Sequence, residues 1–318
     1  DVYKRQTLEA IPARVGETAD AAFSGRVHAA LGFGTFPVCQ SSLHFSIDSS
    51  QSIMPTTING IGTQYYGKKN PRVYQGVCES CQRQVRMTDY ETGHYFVVLY
   101  VPLIPLGKKQ ILGDCSACRR HQAMPLTEWE RIREESLEKG LNDLAENMQD
   151  PAKALELLGR MTVFNQMDEA MDLASATSKQ HHNDFETQVH LGSWYEEHGQ
   201  TKLSDQCLAR AIELNPDHPT SKRIQGIEAI QKGDLKDAAK HFEALRTSDE
   251  SYDASLFYML ANAYQAKEMH AEALEEFKDM MERNPQFAND KTFRKAVKKS
   301  EKSLGNPTSI LPKKGLFG

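Results

Sequence analysis

Cys78 and Cys81 in GVCESCQR, and Cys115 and Cys118 in GDCSACRR, form two CxxC pairs. Each CxxC can close a tight turn that aims both sulfurs at one point. Two such turns offer four thiolates in a tetrahedron, the arrangement Zn2+ takes in closed structural sites, where no place is left for a catalytic water. The 33 residues between the pairs exceed the commonest spacing, and an intervening hairpin accommodates them. A thioredoxin-like redox pair would need a CxxC opening a helix within a βαβ pattern, which this stretch does not have. Disulfides would need an oxidising compartment, which nothing here suggests. His94 and His121 are nearby spare ligands, more simply read as surface residues. Of the remaining cysteines, Cys207 reads as a small buried hydrophobe, and Cys39 takes no role.

The residues that must hold the cysteines read as strands. RQVRMTDYETG and HYFVVLYVPLI are rich in β-branched and aromatic residues, with ETG at 91–93 as the expected turn. Pro102 and Pro105 cannot donate to a ladder, so the second strand is expected at an edge or at a bulge. Its apolar run, Tyr95 to Leu106, is too short for a spanning helix and is expected to cover the metal knuckles. So small a module buries little core without its ion.

The string GVCESC … YFVVLYVPLIPLGKKQILGDCSAC resembles a bacterial and fungal zinc-ribbon family over about residues 60–120. Its members carry a CxxC, a strand ending in a Phe-Ile-Pro-Leu-x-Pro-Leu-Gly-Lys-Lys-like motif, and a second CxxC. The resemblance implies structural zinc at Cys78, Cys81, Cys115 and Cys118, and implies little about activity.

GTQYYGKK, from Gly62 to Lys69, approaches the phosphate-loop pattern and fails it: Lys69 stands where the hydroxyl ligand for Mg2+ belongs, and no apolar strand precedes it. Charge is unevenly spread. Residues 54–126 carry +5, residues 127–285 carry −15 and residues 286–318 carry +6, within a total of −5. The basic head and tail could meet phosphates or acidic partners, or form solvated surface. No apolar run is long enough to span a membrane as a helix, no basic-then-apolar signal pattern opens the chain, and a cytoplasmic location is expected. The first residues, DVYKRQ, look like a translated sequencing adapter. Native translation is expected to start at Met54, with residues 1–53 a non-native or disordered extension.

From Thr127 the period becomes helical. Thr127 and Glu130 make a capping-box pattern, followed by Trp129, Ile132, Leu137, Leu141, Leu144 and Met148 at helical spacing. A 34-residue period then appears. The unit from Phe185 has Leu191, Gly192, Tyr195, Leu208, Ala211 and Pro216 at its key places. Small residues let two antiparallel helices approach, large ones fill the gap between them, and the proline ends the second helix. The unit from about Ala254 repeats this with Leu260, Ala261, Tyr264, Ala273, Phe277, Met280 and Pro285. The unit from Pro219 has Gly226, Gly233, Ala238 and Phe242. The unit from Pro151, with Leu157, Met161 and Ala170, is weaker, as expected of a cap. Phe287, Phe293 and Val297 suggest one more basic helix over the last unit, before a flexible tail. The pattern resembles the tetratricopeptide repeat.

The expected fold is therefore a small β zinc ribbon followed by an all-α tetratricopeptide-repeat solenoid. Its parts are the 1–53 extension, the ribbon at 54–126, a connecting helix at 127–150, repeats at 151–285, and a capping helix with tail at 286–318. The resemblance implies an inner face drawn from the first helix of each repeat. It includes Glu196, Glu197, Arg223, Ile227, Ile230, Tyr258, Asn262 and Gln265, and Arg223, Ile227, Tyr258, Asn262 and Gln265 are the candidate partner-binding residues. Repeats that clamp a C-terminal carboxylate carry Lys or Arg at position 5 and Asn at position 9. Here Arg223 is followed by Ile227, Val189 by Ser193 and Tyr258 by Asn262, so the clamp is incomplete and another kind of peptide or helix is implied. Ile227 and Ile230 could equally pack against the neighbouring unit. A non-enzymatic adaptor that binds a protein or peptide is the leading expectation. A nucleic-acid-associated ribbon, using the basic residues Lys68, Lys69, Arg83, Arg86, Lys108, Lys109, Arg119 and Arg120, is the alternative. No nucleophile elbow, recognisable acid–base motif or open metal position suggests an enzyme.

Overall fold

The computed structural model describes residues 55–246, 252–305 and 309–312. The 1–53 extension, its expected start at Met54, and Cys39 lie outside the described residues. The chain divides into two compact units, one ending at Gln180 and the other running from His181 to the C-terminal region.

The first unit opens with an antiparallel sheet: β1 (Thr57–Ile58), β2 (Ile61–Val77), β3 (Gln84–Val98), β4 (Val101–Cys115) and β5 (Gln122–Pro125), in sequence order. Asn59 and Gly60, at φ 50° and 80°, form the tight turn joining β1 to β2, as an Asn-Gly pair should. The ETG turn expected at 91–93 does not form. β3 runs straight through it, and the chain reverses at Leu99–Tyr100, with φ of 50° and 64°. Gly93 serves packing instead: a Cβ there would stand 2.5 Å from the Tyr95 ring. As expected, the prolines lie on irregular edge structure. The β3–β4 register shifts between His94 and Tyr95 and again between Phe96 and Val97, and Pro105 and Pro102 face Tyr95 and Val97. β5 covers β4 only from Lys109 to Leu112.

The apolar run does not cover the cysteines. The Leu99–Tyr100 turn closes the end of the sheet opposite the β2–β3 loop that carries Cys78 and Cys81, and Val101, Leu103, Ile104 and Leu106 are exposed. What packs against Cys78 and Cys115 is Met87, with Tyr74 and Val85 around it. Beside that cluster Asp89 is buried. It accepts hydrogen bonds from the Gly113 N–H (2.7 Å) and the Tyr74 hydroxyl (3.3 Å) and pairs with Arg72. Burial still leaves the Asp89 carboxyl above its usual range.

Among the described residues three helices follow in this unit: α1 (Leu126–Glu146), α2 (Pro151–Val163) and α3 (Met167–Gln180). α1 starts directly from β5, with Pro125 at the N-cap and no side-chain cap bond, so the capping box expected from Thr127 and Glu130 is not made. Thr127 already lies in the first turn. Met124, Leu126, Trp129 and Phe164 bury together, the Trp129 and Phe164 rings 5.1 Å apart, and anchor α1 to the sheet and to the end of α2. Arg72 donates to the Thr162 carbonyl at 3.0 Å, a second tie between β2 and α2.

The second unit holds three helix pairs: α4 (Phe185–Glu197) with α5 (Thr201–Leu214), α6 (Pro219–Lys232) with α7 (Leu235–Arg246), and α8 (Ala254–Ala266) with α9 (His270–Arg283). The first helix of each pair carries a small residue at the crossing. A Cβ on Gly192 would stand 2.5 Å from Leu208 Cδ2, and one on Gly226 would overlap the Phe242 ring. Ala261 and Ala273 are fully buried in the third pair. Asp184 and Asp253 cap α4 and α8 through their carboxylates. A 3-10 turn, Pro285–Asn289, leads to α10 (Lys291–Ser303), whose Phe293 and Val297 are buried in the same core as Phe257 and Phe277. The tail is not wholly loose as expected: Leu311 is buried in that core, and Glu301 accepts from Ser309 Oγ and the Ile310 N–H, both at 2.7 Å.

Candidate functional site

The two CxxC pairs fold alike. In the first, the Cys78 N–H donates to the Arg83 carbonyl (3.0 Å) and the Gln82 N–H returns to the Cys78 carbonyl (2.7 Å), with Gln82 at φ 54°. In the second, the Cys115 N–H donates to Arg120 (3.1 Å) and the Arg119 N–H to Cys115 (2.9 Å), with Arg119 at φ 62°. Each turn is thus closed by the same pair of bonds, with the left-handed residue four places after the first cysteine. The Ser116 N–H also donates to the Arg86 carbonyl at 3.1 Å, joining one turn to the root of the other.

This brings the four sulfurs within 4.8 Å of one another. Cys78 and Cys118 sulfurs stand 3.6 Å apart, and those of Cys81 and Cys115 3.8 Å. Thiolates on one Zn2+ at about 2.3 Å would sit about 3.8 Å apart in a tetrahedron, so the donor set fits zinc by type, number and spacing. No disulfide joins the described cysteines. The Cys118 N–H points at Cys115 Sγ from 3.4 Å, and that donation, with help from Ala117, holds the Cys115 thiol down to about 6. Cys78 and Cys115 are buried and Cys81 and Cys118 half-buried, so the cluster lies just beneath the surface. His94 and His121 are not part of it; they flank the Tyr65 ring at 5.2 and 6.0 Å.

The candidate partner residues are placed unequally. Ile227 is buried at 3% exposure, and Ile230 with it, in the core shared with α8 and α9. Gln265 is buried too. Its amide donates to the Ala296 carbonyl (2.7 Å) and to Ser300 Oγ (2.6 Å) of α10. These two do not line an open surface, because the following helices pack onto the face that carries them. Tyr258 is half-buried with its ring against Phe277 and Phe293. Its hydroxyl bonds to Asn262, which is exposed. Arg223 is half-buried on α6; burial lowers its pKa and the nearby charge of Asp253 partly restores it.

On α4, Ser193 Oγ and Glu196 Oε2 are buried polar atoms without a hydrogen-bond partner among the described residues. Burial, with the charges of Asp205 and Glu197, pushes the Glu196 carboxyl up to about 7. The repeat phase picked out Ser193 and Glu196 as face positions, but no signal in the sequence marked them as unpaired. Cys207 is buried on α5, as expected.

Residues 185–218 and 254–287 match the family model for the tetratricopeptide repeat, so the helical region carries such repeats. Among solved structures, the chain is similar to YrrB, described as a TPR protein with an unusual peptide-binding site. The identity is 22% over 55% of this chain and 87% of that one, with a TM-score of 0.41. It is similar also to MamA, at 17% identity over 57% of this chain and 98% of that one, with a TM-score of 0.37. No curated protein matches the chain.

Proposed function

We propose that this chain is a non-enzymatic adaptor whose repeats hold a protein or peptide and whose sheet is fixed by a structural zinc ion on Cys78, Cys81, Cys115 and Cys118. The observation that carries the reading is the pair of 34-residue units at 185–218 and 254–287, because helical repeats of this kind serve as recognition surfaces. Arg223 on α6 and Tyr258 and Asn262 on α8 are the polar groups offered to a partner. Zinc would act here by closing the sheet, with all four of its places taken by sulfur.

The test compares affinity capture by the full chain with capture by Arg223→Glu and Asn262→Lys variants, each shown to be folded by circular dichroism. The reading expects a discrete set of proteins held by the wild type and lost with both variants. Retention of the same set by both variants would refute the surface named here.

A further inference from the structure

The end of the sheet away from the cysteines has a composition unlike the rest of the molecule. Residues 55–67 and 92–107, which build it, contain no Asp, Glu, Lys or Arg. Its tip consists of the Asn59–Gly60 and Leu99–Tyr100 turns, tied by the Tyr100 N–H donating to the Gly60 carbonyl at 3.1 Å. Ile58 and Leu99 there are 78% and 73% exposed, and Tyr100, Val101, Leu103 and Ile104 all exceed half. Further along the strands come Tyr65, Tyr66 and Tyr95, half-buried. Two lysine pairs border them: Lys108–Lys109 on β4, facing Gly93 and Thr92 of β3 and so beginning level with Tyr66, and Lys68–Lys69 on β2, where Lys69 faces Glu91. Lys68 is engaged with Asp114 at 3.1 Å. Among the described residues no ion pair uses Lys69, Lys108 or Lys109.

Apolar tip, tyrosine belt, lysine border is the order of a surface that meets a bilayer: acyl chains, then the interface where tyrosine is favoured, then phosphate headgroups. We propose that this end of the sheet docks onto an anionic phospholipid bilayer, with the Leu99–Tyr100 turn inserted and Lys69, Lys108 and Lys109 against the headgroups. From Val101 to Lys108 the strand covers about 20 Å. Interfacial elements sink about 5–10 Å, so the strands enter obliquely, which keeps the lysines at headgroup depth. The surface is poorly made for a second copy of the chain. The outer edge of β4 above Lys109 has no strand beside it among the described residues, yet Pro102 and Pro105 remove donors that strand addition would need. The lysines would also repel their counterparts in a symmetric pair. The proposal is independent of what the repeats bind.

The experiment sediments the purified full chain with vesicles of phosphatidylcholine alone and of phosphatidylcholine mixed with phosphatidylserine. Binding is expected with the mixture only, weakening as salt is raised. A triple variant, Lys69→Glu, Lys108→Glu and Lys109→Glu, should lower binding at least a hundredfold, at about fivefold for each lysine lost. Val101→Glu with Leu103→Glu should abolish it; both positions are exposed, so the fold tolerates the change. On the otherwise native chain, Tyr100→Trp should add a component to the fluorescence of Trp129 and Trp194 that shifts to the blue on adding the mixed vesicles. Equal binding to both vesicles, binding to neither, or no blue shift would overturn the proposal. So would a dimer in light scattering that Leu103→Glu dissolves, since a second copy would then cover the tip, or an acidic protein that holds the tip while vesicles do not.

Discussion

Gly226 is where the repeat architecture can be tested with one methyl group. It lies on α6 at the crossing with α7, and a Cβ there would overlap Phe242 Cε1 and stand 2.5 Å from Cδ1. Phe242 is fully buried, with the Phe257 ring 6.1 Å away, so it has no open side to turn into. Gly226→Ala gains about 1 kcal/mol in helix propensity. Overpacking costs about 1–3 kcal/mol, and a rigid ring in a closed core belongs at the upper end. The expected net loss is about 2 kcal/mol. Gly192→Ala is the milder comparison: its Cβ would stand 2.5 Å from Leu208 Cδ2 and 2.7 Å from Cγ, on a buried aliphatic side chain that can change rotamer where the Phe242 ring cannot. It should be within about 1 kcal/mol of the wild type. The assay is urea denaturation followed by helical circular dichroism. Adding Phe242→Leu to Gly226→Ala should recover part of the loss, a coupling of about 1 kcal/mol or more. A Gly226→Ala protein as stable as the wild type, or strict additivity with Phe242→Leu, would refute the close crossing as the reason for glycine.

Glu196, with Glu197 beside it lifted to about 7 by burial, gives the repeats a pH dependence. Its folded pKa, about 7, lies above the usual 4.5, so its contribution is fully present below about pH 4.5 and is lost as pH rises through 7. Unscreened, the shift is worth about 3 kcal/mol, and partial exposure reduces that to about 1–2 kcal/mol. Glu196→Gln should remove part of the fall in stability between pH 5 and about 7.5, and adding Glu197→Gln should remove more, read from melting temperatures across that range. Leu311→Ala should cost about 2 kcal/mol, because Leu311 is buried against the core of the last repeat. Urea titration should show that loss, and a tail that merely hangs free would show none.

The sequence disclosed these features unequally, for physical reasons. Ligand chemistry is local, so the CxxC spacing alone pointed to convergent sulfurs. The repeats were legible because a close helix crossing permits only small residues, and Gly192, Gly226 and Ala261 recur at that place. Turn chemistry misled at Gly93. Glycine there makes room for the Tyr95 ring, while the real turn uses Leu99 and Tyr100 with no local signal, braced by the neighbouring Asn59–Gly60 turn. The apolar run looked like core because apolar residues usually are; its exposure depends on where β5 stops, a tertiary fact. Thr127 failed as a cap because α1 grows straight out of β5, with Pro125, two residues earlier, at the N-cap. Ile227 and Gln265 sit at nominal face positions but bury, since later helices close over them.

The metal content of the purified chain is the most direct measurement. Mass spectrometry under non-denaturing conditions should find one zinc ion per chain, and X-ray absorption should find four sulfur neighbours at about 2.3 Å. Cys115→Ser should lose the ion or bind it far more weakly. A native chain free of bound metal, with Cys78 to Cys118 reactive to thiol reagents yet an intact sheet, would contradict the account.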